Sequence, residues 1–180
     1  MANEVAEIDK KYLNLIRENV SSFICAAGAK HDKSGLVVLD VAPQDHEGAK
    51  PYFKTAQVET LDIDPKSGAT YIADLCADNS AVIPAERFDI VVCTEVLEHT
   101  LQPFDAVQEL HRILKPGGYV YASSPFNFRV HGPLPDCWRF TEHGWRALFS
   151  DFEIVELKAL EAEGRFLAPI HHTVIARKKT

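Results

Sequence analysis

The chain has 180 residues, 46% of them hydrophobic, and a formal net charge of −7 from 19 Lys and Arg against 26 Asp and Glu. This length and apolar content suffice for one core, and the acidic balance argues against the broad basic surface that binds nucleic acid. Cys25, Cys76, Cys93 and Cys137 show no CxxC spacing, the longest apolar run (Val20–Ala29) is too short to span a membrane, and MANEVAEIDKK has no signal-peptide pattern. Together these features predict reduced thiols in a cytoplasmic protein.

Ile8, Tyr12, Ile16, Val20 and Phe23 recur at helical spacing and predict a helix over Ala6–Ala26, broken by the polar stretch Gly28–Gly35. Gly35–Ala42, GLVVLDVA, is a short apolar run ending in an acid and predicts a buried strand. Pro51-Tyr52-Phe53 suggests a short helical turn. Val58–Ile63 predicts a second strand, with Asp62 and Asp64 at its end, and Tyr71–Leu75 a third. A parallel crossover takes roughly a dozen residues, more than separate these two strands, so the connecting helix should shrink to a loop. Cys76 and Cys93 fall in the predicted buried strands.

The segment Phe88–Gly118, FDIVVCTEVLEHTLQPFDAVQELHRILKPGG, is the most informative. An apolar strand bends at Thr94-Glu95, runs through an amphipathic helix and meets Lys115-Pro116-Gly117-Gly118, after which YVYASSPF reads as another strand. Strand, crossover helix and strand predict two parallel strands in one sheet. The helix should bury Phe104, Val107, Leu110 and Leu114 and expose Gln102, Asp105, Glu109 and Arg112, with Pro103 in its first turn and Gly117 as its stop. A loop rich in Pro, Gly and His follows Pro125; Thr141 then caps a short helix, and Phe152–Leu160 and Thr173–Arg177 read as closing strands. The sum is an α/β chain with an open twisted sheet of about seven strands and helices on both faces.

In such sheets ligands bind beyond the carboxyl ends of the strands. Asp40, Asp62, Asp64, Asp74, Thr94, Glu95, Ser123 and Ser124 all fall at predicted strand ends. One strand-end acid can accept both hydroxyls of a ribose, and an acid on the next strand can accept an adenine amino group. The pattern fits a nucleoside cofactor with a cationic end.

FD followed by two apolar residues, then EVLEH, then LKPGG, resembles the fourth strand, fourth helix and fifth strand of class I S-adenosylmethionine (SAM) dependent methyltransferases. The resemblance covers Gly35–Phe149 and implies a Rossmann-like, mostly parallel sheet whose last strand is antiparallel. It also implies one domain over residues 1–180, with 1–34 as a helical extension. It assigns Asp40 and Ala42 of LDVAPQD to the methionine part of SAM and Asp62 of LDID to the ribose, with Ile63 and Asp64 as neighbours. Asp74 and Leu75 of ADLC would sit at the adenine edge, and Thr94 and Glu95 on the methionyl side. The family loop after the first strand is glycine-rich; here it reads Val41-Ala42-Pro43-Gln44-Asp45. Ala42 fits there if its φ is negative, Pro43 offers no N–H, and Gln44 places a side chain where bare backbone is wanted. Pro51-Tyr52-Phe53 fits family branches that follow a reduced glycine loop with a short PY-containing helix.

Pro125-Phe126, His131, Pro133, Asp136 and Trp138-Arg139-Phe140-Thr141 resemble a pattern of methyltransferases found in sugar, polysaccharide and natural-product pathways. It implies an acceptor side: His131, then His99, as the base for a hydroxyl; Trp138 and Phe140 as stacking faces; Arg139 as a clamp for a phosphate or carboxylate. The competing reading pairs Arg139 with Asp136 to hold the loop and places Trp138 in the core. Glu95, Glu98 and His99, with His131 downstream, are similar to the metal sites of some quinone and small-RNA methyltransferases, against a reading of Glu98 as a cap and His99 as packing. His171-His172 reads as structural or solvent-facing, because neighbours on a strand point to opposite faces.

The implied activity is SAM-dependent methyl transfer to a small-molecule acceptor, above all a hydroxyl of a sugar or natural-product intermediate. The implied partners include neither nucleic acid nor membrane and leave room for a homodimer. The main alternative is a methyltransferase-like partner or regulatory domain that has lost donor binding. A nicotinamide-dependent oxidoreductase is disfavoured because no GxGxxG follows the first strand.

Overall fold

The computed structural model describes residues 5–43 and 48–180. Its elements are α1 (Glu7–His31), β1 (Val37–Val41), β2 (Gln57–Asp62), β3 (Tyr71–Ile72), β4 (Phe88–Thr94), α2 (Pro103–Ile113), β5 (Leu114–Pro125), α3 (Glu142–Leu148), β6 (Phe152–Leu160) and β7 (His171–Lys178), with a single 3-10 turn at Leu97–His99. The seven strands form one sheet in the order β3-β2-β1-β4-β5-β7-β6. β1 to β5 pair in parallel, and β7 lies antiparallel between β5 and β6. This is the open Rossmann-like sheet with an antiparallel last strand.

Alternation along the central strands divides the core. Leu39, Val91, Cys93, Val120 and Ala122 point to the face covered by Val107 and Leu110 of α2 and Trp145 of α3. Val38, Ile90, Val92 and Tyr121 point to the face covered by Ile24 and Ala27 of α1 and by Ala49 and Phe53. A parallel sheet buried on both sides reads as continuous apolar runs, which is why VVLDV and FDIVVC carry the fold signal.

Several local expectations shift. α1 does not break at Gly28 but continues to His31. Gly28 is there for space: a Cβ would stand 2.3 Å from the Tyr52 carbonyl oxygen. The 49–53 turn therefore packs directly on the helix backbone, with the Tyr52 and Phe53 N–H groups bonded to Ala49 O. On α2, Phe104 is 58% exposed and Glu109 is buried against Arg112, the reverse of the expected faces. Ala106 and Ile113 fill the face instead, and Leu114 already belongs to β5. Gly117 is thus no helix stop; it sits within β5 at φ 76°.

The β3 strand shrinks to two residues, because Asp74 closes a turn by accepting the Cys76 N–H at 2.8 Å. Cys76 lies in that turn and only Cys93 is buried in a strand. The expected cap of α3 is present, with Thr141 Oγ1 accepting the Gly144 N–H at 3.1 Å. β7 begins at His171, so both histidines of the His171-His172 pair lie inside the sheet and are buried. Among the described residues no helix is long and apolar enough to cross a membrane.

Gly28→Ala should lower stability by about 2 kcal/mol, the typical cost of overpacking, and the melting temperature by roughly 4–8 °C for a chain of this size. Helix propensity alone gives the opposite sign. Thermal unfolding of the two proteins decides between them.

Candidate functional site

The carboxyl ends of β1 to β4 border an open cleft of about 1080 Å³. Ala42, Asp62, Ile63, Asp74, Leu75, Glu95 and His99 line it, whereas Asp40, Thr94, Glu98, His131, Asp136, Trp138 and Arg139 do not.

At the end of β1, Ala42 has φ 50°, so the condition under which an alanine fits there without strain is not met, while its N–H reaches Leu61 O at 2.7 Å. The left-handed region costs a residue with a Cβ roughly 1–2 kcal/mol. Asp40 turns away from the cleft. Its Oδ2 accepts the Ala49 N–H at 2.6 Å, and a Cβ on Gly48 would stand 2.1 Å from that oxygen. Burial pushes the Asp40 carboxyl up to about 6, against the opposing Ala49 hydrogen bond. Asp40 therefore ties Ala49 to the end of β1. Pro43 lines the cleft, and Gln44 and Asp45 lie outside the described residues.

The acids after β2 and β3 share one local device. Asp62 Oδ1 accepts the Asp64 N–H at 2.8 Å, as Asp74 Oδ1 accepts that of Cys76. These Asx turns fix each carboxylate by one oxygen. The second oxygen of each has no protein donor among the described residues. Asp64 in turn accepts the Lys66 N–H at 2.8 Å.

At the end of β4, Glu95 is again left-handed, with φ 56°. Its N–H reaches Ser123 O at 3.1 Å. Its Oε1 accepts the Ser123 hydroxyl at 2.7 Å and stands 2.6 Å from His171 Nε2. Burial works to raise this carboxyl, but its close contact and hydrogen bond with His171, helped by Ser123 and His131, hold it below the ordinary range. Glu98, one turn on, is fully buried and neither carboxylate oxygen has a hydrogen-bond partner. Burial, and then the negative charge of Glu95, push it well above the usual carboxylate range.

His99 Nδ1 lies 2.8 Å from Pro135 O. A carbonyl only accepts, so Nδ1 carries the proton and the neutral ring keeps its lone pair on Nε2. That atom is 3.8 Å from Glu98 Oε1. The His131 ring packs against His99 at 4.9 Å between centroids, and its Nδ1 is 3.0 Å from Asp136 Oδ2. Burial lowers the His131 pKa against the pull of Asp136. One oxygen of Glu98 and one nitrogen each of His99 and His131 lie within 4.8 Å of one another. The metal-type cluster is thus Glu98, His99 and His131, while Glu95 turns to Ser123 and His171.

Asp136 and Arg139 form a two-pronged pair, and Arg139 donates further to the Trp138 and Arg129 carbonyls. The Arg139 hydrogen bonds hold the Asp136 carboxyl far below its usual range. With the Cys137 and Trp138 N–H groups on Glu98 O, the pair fixes the 126–140 loop over the Leu97–His99 turn. Trp138 is 40% exposed, stacks on Phe140 at 6.3 Å and donates from Nε1 to Thr100 O. Sequence reasoning noticed His171 but assigned it no partner. Its contact with Glu95 spans 76 residues and exists only because β7 inserts beside β5.

Ala42→Gly should raise stability by about 1 kcal/mol, because relief of the left-handed strain exceeds the added freedom of the unfolded chain. Chemical denaturation of both proteins measures it.

The family model described as a methyltransferase domain matches residues 12–159. The ubiquinone biosynthesis O-methyltransferase of Proteus mirabilis is 29% identical over 117 residues, which cover 65% of this chain and 46% of that protein. The chain spans about half the length of such curated relatives. A methyltransferase described as putative, in complex with the Trm112 methyltransferase activator of Haloferax volcanii, superposes with TM-score 0.67 at 15% identity, covering 91% of each chain. The [4+2]-cyclase SpnF superposes with TM-score 0.66 at 14% identity, covering 87% of this chain and 80% of that one. At these identities the structures establish the shared fold. The family match takes in every strand that borders the cleft, and the chain belongs to the methyltransferase domain family.

Proposed function

We propose that this chain is a SAM-dependent methyltransferase acting on an oxygen of a small-molecule acceptor. The observation that carries the reading is the pair Asp62 and Asp74 on adjacent strand ends, each held by one oxygen and free at the other, on a cleft that also receives Glu95. Asp62 would take the ribose hydroxyls, Asp74 and Leu75 the adenine edge, and Ala42 and Glu95 the methionine end. The donor is a cation, and Glu95 is held in its charged form. The cleft volume is at the upper end of small-molecule sites, which leaves room for an acceptor beside the donor.

SAM supplies a methyl group already activated on a sulfonium, so the protein mainly aligns the two reactants. His99 is the better placed base: it lines the cleft with its Nε2 lone pair free, and His131 packs behind it. It would take the proton of an acceptor hydroxyl as the C–O bond forms. The Asp136–Arg139 pair supports the loop, leaving Trp138 and the exposed Leu101 and Leu134 as apolar surface toward an acceptor. The relatives named as O-methyltransferases support oxygen as the acceptor atom. Hydroxyls of natural-product, ring or sugar intermediates are the class to screen.

A specific observation favours a second reading, in which a divalent cation held by Glu98, His99 and His131 occupies the His99 Nε2 lone pair and replaces that atom as the base. Glu98 is fully buried with both oxygens unpartnered, and two imidazoles stand beside it. A mixed O and N donor set suits Zn, Co or Mn. Such an ion would place a Lewis acid at the wall of the cleft.

Calorimetric titration with SAM and S-adenosylhomocysteine should give micromolar binding that Asp62→Ala weakens at least tenfold; a folded wild-type protein that binds neither ligand overturns the reading. Titration with Co²⁺ should produce a visible absorption band that Glu98→Gln abolishes. Because the ion displaces the Glu98 proton, affinity should rise with pH. A spectrum unchanged by Co²⁺ excludes the cation.

A further inference from the structure

We infer that His171, backed by Asn19 of α1, is a positioning residue for the donor site: it holds the Glu95 carboxylate so that the second oxygen faces the cleft. The inference rests on the donor reading above. Asn19 Nδ2 lies 2.9 Å from His171 Nδ1, and His171 Nε2 lies 2.6 Å from Glu95 Oε1. An amide NH₂ only donates, so Nδ1 accepts, the proton sits on Nε2, and Nε2–H points at the carboxylate. Both ring nitrogens are then engaged and the imidazole is fixed in one orientation.

Three further features make this arrangement specific. Glu95 holds a left-handed backbone at φ 56°, a conformation that persists only where its surroundings over-determine it. Ser123 and His171 both bond to Oε1, so Oε2 has no protein donor among the described residues, and Glu95 lines the cleft. His171 has no exposed surface and lies in register with Pro125 of β5 and Leu160 of β6, so the sheet itself sets its position. It also lies beyond the residues matched by the family model.

The consequence reaches α1, which supplies no side chain to the cleft. Its Tyr12 and Ile16 pack on Ala162 and Ile170, in the connection that leads into β7. Seating of α1 and placement of His171 are therefore one packing event, and Asn19 carries it to Glu95. Donor affinity should depend on a helix that never touches the donor.

The test is SAM titration across a double-mutant cycle. His171→Leu should weaken SAM binding roughly tenfold, the effect of losing one hydrogen bond to a charged group. Asn19→Leu should weaken it about threefold on the same scale. His171→Gln, which keeps an N–H donor, should recover most of the loss. In a Glu95→Ala background, His171→Leu should change affinity less than twofold. A merely structural role predicts an equal loss in both backgrounds, and that result overturns the inference, as does unchanged binding in His171→Leu. If His171→Leu does not fold, unchanged binding in Asn19→Leu overturns it. Failure of the wild-type protein to bind SAM is a different outcome: it removes the donor site and this inference with it.

Discussion

Burial of the central strands on both faces is the constraint on which the rest of the structure depends. Val38, Leu39 and Ile90 through Cys93 have almost no solvent exposure. A strand sandwiched between helices has no side on which to place a polar side chain without a partner. Polar groups are therefore driven to the strand ends, and because β1 to β5 run parallel, those ends gather at one edge. The cleft is a consequence of how the core is made.

At that edge the cost of burial is met in different ways by different acids. Asp62, buried in the cleft wall, and Asp74, exposed, are steadied by turn N–H groups. Asp40 is buried with a single backbone donor and is pushed toward its neutral form. Glu95 gathers Ser123 and His171 and is held charged. Glu98, its neighbour in the same turn, gathers nothing and is driven toward protonation by burial and by Glu95. Two carboxyls whose surroundings push them in opposite directions are typical of a working site.

The turns that carry these residues are strained where the cleft comes closest. Ala42 and Glu95, at the ends of β1 and β4, both adopt the left-handed conformation that favours glycine. The strain is offset by backbone bonds into neighbouring strands, Ala42 to Leu61 and Glu95 to Ser123. Ala42 thus holds a glycine-like conformation without being a glycine, and Asp40 braces Ala49 beyond it.

Much of this was legible from residue order. Apolar runs ending in acids marked β1, β2 and β4, and FDIVVC with LKPGG marked the parallel pair, because two-sided burial and crossover length leave a local trace. The antiparallel ending and the strand-end acids followed from the resemblance and from general sheet rules. What the sequence left open depended on contacts between distant segments. Gly28 looked like a helix breaker until Tyr52 packed on it. Arg139 stood open between clamping an anion and pairing with Asp136 until the fold closed that pair and set it on the Trp138 and Arg129 carbonyls. His171 gained its meaning only when β7 inserted beside β5 and brought it to Glu95. Strand period and terminal acids are local properties that one segment can specify; which oxygen is held, which carboxyl is charged and which imidazole points at it are decided by packing that no single segment contains.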